Sequence, residues 1–439
     1  MITEIQVKDF KSYRHGVLPL APLTVLIGAN ASGKSNIIEA IRLLSEIAGG
    51  QRLMLLGRTT RSSLRSFRGK THELGYQGQD SFQLICKIEP GLHHAWNQLE
   101  MTLQVDEHRD AFVSQEKITN ADKDSPLYKI VSEPRGAGGD VFVEYDDLTI
   151  EHQKLKVVCS GHMAIFTQLL SEIRFPDTAS ESRHKIPLIT NDYVKALRNI
   201  ISIEPEPHVM RSHGYADHPL LDKHGENLSG ILYQLCRDQN KKTKILDFIE
   251  SLPEQDIKDI DFYETGHGEV MLKLTETFGD VETIYDVTTL SDGTLRVLAI
   301  AAAIFSAPKQ SLVIIEEIDN GIHPSRIKTL FAKINTIAQE RQLRILTTSH
   351  NPALLDSLPD EAGPDAVFCY RSPEDGSSKL VRLRDIRDYV ELMVQGSVGH
   401  LMTHGILERF VKYHPEPEEK RRRALEWLKK MRKEVENVG

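Results

Sequence analysis

The stretch Gly28-Ala29-Asn30-Ala31-Ser32-Gly33-Lys34-Ser35 limits this chain more than any other. It follows the apolar run Leu23-Thr24-Val25-Leu26-Ile27 and precedes Asn36 to Leu44, whose apolar residues recur at helical spacing. A strand, a glycine-bounded loop and a helix in that order turn G-x-x-x-x-G-K-[ST] from a pattern match into a phosphate site. The glycines let successive backbone N–H groups face inward on an anion, and the helix adds a partial positive charge at its N-terminus. In such a site Lys34 neutralises the β- and γ-phosphates and the Ser35 hydroxyl ligates Mg²⁺. Gly28, Asn30, Gly33 and Asn36 complete the loop that would cradle ATP.

A chain of 439 residues can bury two to three cores of ordinary size. A net charge of −9 argues against nonspecific coating of nucleic acid, although a local basic groove would be hidden in that sum. Cys86, Cys159, Cys236 and Cys369 are widely spaced and contain no C-x-x-C, so they read as reduced thiols in a cytoplasmic protein. The N-terminus opens into a strand pattern without a signal-peptide profile, and no apolar run reaches the 18 residues of a membrane span. No membrane is expected as a partner.

Alternating runs at Ser81–Ile88, Trp96–Val105, Leu127–Val131 and Asp140–Tyr145 suggest a largely antiparallel sheet in the first 160 residues. Between 51 and 79, Arg58, Arg61, Arg65 and Arg68 form a run that is either a solvated face or an anion-binding one, solvated faces being the commoner case. Helical patterning follows at Met163–Ile173, Asp192–Ile201, Leu228–Leu235 and Thr243–Leu252, broken by Ile203 to Pro207. Residues 161–255 are therefore expected to be an inserted helical lid or arm, with no sustained heptads. Strands return at Glu269–Leu274 and Thr283–Val287.

Three further signals follow. Leu290-Ser291-Asp292-Gly293-Thr294 opens an apolar helix and offers hydroxyl, N–H and dipole to an anion, though alone it is an ordinary N-cap. Leu312-Val313-Ile314-Ile315 reads as a buried parallel strand ending in Glu316 and Glu317. The first carboxylate suits a metal's water shell and the second can act as general base on a water. Arg344 to Ser349 is another buried strand, ending in His350, where a γ-phosphate or its water could be met.

These four motifs, in this order, resemble the ABC-type ATPases, a class that takes in transporter subunits, SMC proteins, RecF and the OLD-like ATPases. The resemblance covers residues 1–50 and about 283–356. It implies an α/β fold: a P-loop head of mixed sheet plus antiparallel subdomain, an inserted helical lid or arm, and a C-terminal helix. By motif, Lys34 and Ser35 look like Walker A, Leu290 to Thr294 like the ABC signature, Glu316 and Glu317 like Walker B, Asp319 like the D-loop, and His350 like the switch histidine. Phe10-Lys11-Ser12-Tyr13 is similar to a segment of RecF and SMC heads in which the basic residue, here Lys11, approaches the phosphates. The usual Walker B aspartate is Glu316 here. The Q-loop glutamine stays open between Gln77, Gln79, Gln83 and Gln98.

The class implies a head-to-tail homodimer or a higher even-numbered assembly. In it, Ser291 and Gly293 of one copy reach the nucleotide on Lys34 of the other. The 254 residues between Ser35 and Leu290 are more than transporter subunits carry and fewer than SMC proteins do. Asp319 to Pro324, Ser349 to Pro352 and Leu221 to Leu228 resemble segments of OLD-like members, but residues 357–439 contain no D-x-D of the metal-dependent TOPRIM nuclease of OLD proteins, Asp385 and Asp388 having the wrong spacing. The chain thus resembles stand-alone ATPases such as AriA, PtuA and RloA, which work beside a separately encoded nuclease or toxin, often TOPRIM-like, in antiphage defence. A RecF-like DNA clamp and a scaffold with a structural nucleotide are the rival expectations. Residues 1–160 and 256–370 are expected to form the two ATPase lobes, and 371–439 a helical extension. Its helix, Glu416 to Glu436, could pack on its own domain, dock a partner or touch nucleic acid.

Overall fold

In the computed structural model, the strand ahead of the glycine loop, Leu23–Ile27, is buried at all five residues. The structure describes residues 1–56, 67–89, 95–120, 125–132, 139–146, 148, 154–177, 180–215, 220–250, 256–264, 268–279 and 281–413. The loop strand belongs to a six-stranded sheet ordered Ile200–Ile203, Leu312–Ile315, Arg344–Ser349, Leu23–Ile27, Val367–Arg371, Ser378–Arg382. The first five run parallel and the last closes an antiparallel hairpin. A parallel sheet is covered on both faces, so its strands read as continuous apolar runs.

Successive side chains still divide between the faces. Leu26, Leu312, Ile314 and Leu346 join the core built on the loop helix, Lys34–Ala48. Val25, Ile27, Val313, Ile315 and Ile345 join a second core with the helix Asp292–Ser306. That helix is buried at every residue from Leu295 to Phe305 except Arg296, and alanines at 299 and 301–303 let neighbours approach it from every side.

The expected antiparallel region is an eight-stranded sheet. It runs from Tyr13–Pro19 through Ile2–Phe10, Ser81–Ile88, Gln98–Val105 and Ala111–Thr119 to Tyr128–Ile130, Asp140–Asp146 and Lys154–Ser160. Ala111–Thr119 and Lys154–Ser160 are strands that the alternation does not announce. A third, antiparallel sheet is centred on Glu269–Phe278, which pairs with Gly214–Tyr215, Asp256–Glu264 and Val281–Asp286.

The segment expected to be a helical lid, 161–255, differs from that picture. It holds the helices Ser180–Arg198, Leu228–Cys236 and Gln239–Ile249. It also supplies the edge strand Ile200–Ile203 of the central sheet, where it pairs with Leu312–Ile315. Four residues rich in isoleucine, stopped by Pro205, suit a short buried strand better than the helix end expected there. Met163–Ile173 is two 3₁₀ turns, not a helix. Within the described residues, the extension after 371 begins with strand Ser378–Arg382 and continues as short helices as far as Ile406–Tyr413. The expected helix at 416–436 and the arginines 58, 61 and 65 lie outside the described residues.

One buried acid ties the eight-stranded sheet to the turn that follows it. Glu116 is 2% exposed. It accepts from the Tyr128 hydroxyl at 2.6 Å and from the N–H groups of Ile165 and Phe166, both at 2.7 Å. Burial pushes its carboxyl up to about 7 and the three donors only partly oppose this. The folded value lies above the unfolded one, so the native state holds the extra proton. Its contribution is fully present below the ordinary carboxylate range and is lost as pH rises through about 7. Wild-type stability in urea should thus fall by up to about 1.4 kcal/mol per pH unit across that window relative to Glu116→Gln. Parallel curves for the two chains would contradict this.

Candidate nucleotide site

The glycine loop owes its course to two close approaches. At Gly33 the backbone takes φ +122°, and a Cβ there would lie 2.2 Å from Ser378 Oγ. At Gly28 a Cβ would lie 2.2 Å from the Cys369 carbonyl oxygen. Both neighbours come from the hairpin Val367–Arg371/Ser378–Arg382, which holds the loop's outer side. Ser378 Oγ lies 2.5 Å from Ser32 O and 2.7 Å from Ser12 Oγ, and Arg371 Nε donates to Ala31 O at 2.9 Å. The buried Tyr13 hydroxyl donates to Gly33 O at 3.1 Å, and Asn36 Nδ2 donates to Ser12 Oγ at 2.7 Å. The carbonyls of Ala31, Ser32 and Gly33 are thus held by partners outside the loop, which keeps them from facing an anion bound there.

Over the loop lies a cleft of about 370 Å³, lined by Asn30, Gly33, Lys34, Ser35, Asn36, Glu316, Glu317 and His350, and by Arg68 and Arg371. The structure thus brings together most of the residues expected from sequence. Lys34 Nζ donates to Gly28 O at 2.6 Å and Ala29 O at 3.1 Å, inside its own loop. Burial lowers its pKa, while Cys369 and Glu317 pull the other way. A phosphate is the partner that such an ammonium lacks, and the cationic wall of Lys34, Arg68 and Arg371 fits a polyphosphate.

Glu316 and Glu317 differ in setting. Glu316 is ion-paired with Arg42 of the loop helix. Glu317 is exposed at φ +50°; its N–H donates to Thr348 Oγ1 at 3.0 Å and its carboxylate accepts from Asn320 Nδ2. No cluster of three or more His, Cys, Asp or Glu able to hold a metal occurs among the described residues. The Ser35 hydroxyl and the Glu316 carboxylate, both at the cleft, suit Mg²⁺, which keeps several waters and takes the rest of its shell from phosphate oxygens.

Gly28, at the start of the loop, does not line the cleft, and four other expected residues lie elsewhere. Ser291 caps the helix Asp292–Ser306, accepting from Thr294 N at 3.1 Å. Gly293 packs so closely on the turn after Glu317 that a Cβ would lie 2.8 Å from Gly321 O. Asp319 lies in that turn, with Oδ1 buried and unpaired. These three share a surface, braced by Arg211, which donates to Leu290 O at 2.9 Å and Asp292 Oδ1 at 2.6 Å. None of them lines the cleft. Lys11 does not line it either. It pairs with the buried Glu39 and donates to Arg68 O at 2.9 Å, while Arg68 Nε donates to Glu39 at 2.6 Å. Arg68, not Lys11, therefore faces the cleft. None of Gln77, Gln79, Gln83 and Gln98 lines it.

Ser378→Ala should remove the loop's brace without touching a motif residue. One lost hydrogen bond of about 1 kcal/mol predicts a several-fold weaker nucleotide affinity by fluorescence titration. Unchanged affinity would mean that the hairpin does not set the loop.

Comparison with known proteins agrees with the motif order. A family model described as "AAA domain, putative AbiEii toxin, Type IV TA system" matches residues 121–356, more than half of the chain. A second, "AAA ATPase domain", matches residues 1–135. The DNA replication and repair protein RecF of Cyanothece sp. (strain PCC 7425 / ATCC 29141) is 38% identical over 90 residues, 20% of this chain and 19% of that protein. RecF of Gloeobacter violaceus is 32% identical over 89 residues, 20% of each chain. The chain thus spans about a fifth of the length of these curated relatives. Among solved structures, an SMC head bound to the C-terminal winged-helix domain of ScpA has a TM-score of 0.45 at 15% identity, over 87% of this chain and 96% of that one. The SMC head of Thermotoga maritima has a TM-score of 0.41 at 13% identity, over 87% and 98%. No described helix is long and apolar enough to cross a membrane. On the extent of the family match, this chain belongs to the AAA-domain ATPases described with the putative AbiEii toxins, and over about a fifth of its length it is similar to RecF.

Proposed function

We propose that this ATPase is a nucleotide-gated head that closes on a second copy of itself and, by closing, holds or releases a separately encoded nuclease or toxin in antiphage defence. The observation that carries the dimer is the division of the motifs. Lys34, Ser35, Glu316, Glu317 and His350 line one cleft, whereas Ser291, Gly293 and Asp319 do not line it, Gly293 packing on the turn that holds Asp319. A head-to-tail pair would set the second group over the first, so that the N-terminus of the Asp292–Ser306 helix meets the γ-phosphate only in the closed state.

Within the closed site each group has a role suited to its setting. Lys34 neutralises the β- and γ-phosphates, and the Ser35 hydroxyl and Glu316 hold Mg²⁺. Glu317, exposed and oriented by Asn320, takes the proton from the attacking water. His350 contacts the γ-phosphate or that water. Loss of the phosphate removes the shared ligand and reopens the pair. The effector assignment is supported by the toxin system in the family's description. The similarity to RecF favours a second reading, a clamp acting on DNA.

The test expresses tagged Glu317→Gln and Lys34→Ala chains with their native neighbouring genes, and measures mass and bound partners with ATP and Mg²⁺. We expect Glu317→Gln to come down as a closed dimer and Lys34→Ala as a monomer, with one neighbour-encoded protein bound to only one of them. A neighbour bound equally to both would remove the nucleotide gate. A dimer carrying salt-sensitive duplex DNA and no protein would establish the clamp instead.

A further inference from the structure

Arg42 belongs to none of the nucleotide motifs, yet it is the residue that touches Glu316. It lies roughly two turns beyond Lys34 on the loop helix. Its Nη2 donates to Glu316 Oε1 and its Nε donates to Ser202 Oγ at 3.0 Å. The two charged side chains are 17% and 14% exposed. No donor among the described residues reaches Glu316 Oε2. The strand that anchors Arg42 also fixes the backbone of its partner, since Glu316 N donates to Ile203 O at 2.9 Å.

We propose that Arg42 is a positioning residue that presents Glu316 to the metal ion. This rests on the metal role proposed for Glu316 above. A glutamate reaches farther than the aspartate usual at this place but carries one more side-chain torsion, whose freedom must be given up when it binds. Arg42 removes that freedom in advance: it occupies Oε1 and leaves Oε2 for the metal's water shell. The guanidinium suits the task because two of its nitrogens, set in one rigid plane, bond two different elements at once. A lysine ammonium, a point charge on a flexible stem, cannot reproduce that fork. Groups that orient a metal ligand in this way commonly change metal affinity about 10- to 100-fold when removed.

The test is a Mn²⁺ titration by electron paramagnetic resonance of the full chain bound to a non-hydrolysable ATP analogue, paired with nucleotide affinity in EDTA. Glu316→Gln comes first. If it leaves Mn²⁺ affinity unchanged, the metal role of Glu316 is wrong and the reading beneath this proposal falls. If it weakens Mn²⁺ binding, Arg42→Lys and Ser202→Ala decide the proposal itself. Arg42→Lys keeps the charge that a partly buried Glu316 needs, and Ser202→Ala removes only the anchor, so the fold is spared in both. We expect each to weaken Mn²⁺ binding about tenfold, with metal-free nucleotide affinity unchanged. Unchanged Mn²⁺ affinity in both would overturn the proposal, as would an equal loss in EDTA, which would make the pair merely structural. Tighter Mn²⁺ binding would also overturn it, because Arg42 would then be a competitor of the metal.

Discussion

The contact on which the site depends is the hairpin Val367–Arg382 pressed against the back of the glycine loop. Gly28 passes the Cys369 carbonyl, and Gly33 passes Ser378, at distances that leave no room for a side chain. Ser378, Arg371 and Tyr13 lie at the carbonyls of Ser32, Ala31 and Gly33. A loop able to bind phosphate must keep those carbonyls turned away, since each one facing inward would repel the anion that the N–H groups attract. The hairpin does this from the next strand of the same sheet, so the sheet's register is also the loop's register. Order in the loop is thereby built before any ligand arrives, and less of the binding energy goes to ordering it.

The remaining design is one of separation. Lys34 and both strand-end glutamates face one cleft, while the helix capped by Ser291 presents its N-terminus with the turn around Asp319. A group that can stabilise the phosphate only from another molecule contributes nothing in the open state. All of its binding energy then favours closure, the condition under which a nucleotide can shift a conformational equilibrium.

Much of the site was legible in the sequence because three of the four motifs stand at the end of a buried strand. Parallel strands must be apolar along their length, so the polar residues that follow Ile27, Ile315 and Ser349 mark the sheet's functional edge. What could not be read are partners from distant segments. Arg42 and Glu316 are 274 residues apart, and Arg371 and Ala31 are 340 apart. No periodicity joins such pairs. Arg68 was visible only as one of a run of arginines, and its pairing with Glu39 depends on a buried acid that looks like any helical glutamate. Lys11 was placed near the phosphates by resemblance, but Glu39 holds it. Ile200–Ile203 was missed because four residues after a helix carry too little alternation to declare a strand.

The most direct test of the central claim, a site completed by a second copy, is cross-linking between two differently labelled chains. One carries Asn30→Cys and the other Ser291→Cys. Of the native cysteines, Cys86, Cys159 and Cys369 are buried and Cys236 half-buried, so a short bis-maleimide should favour the introduced thiols. The head-to-tail account predicts a cross-linked dimer in the mixture, dependent on ATP and Mg²⁺, and none from either chain alone. Equal cross-linking in each chain by itself, or none in the mixture with ATP, would contradict it.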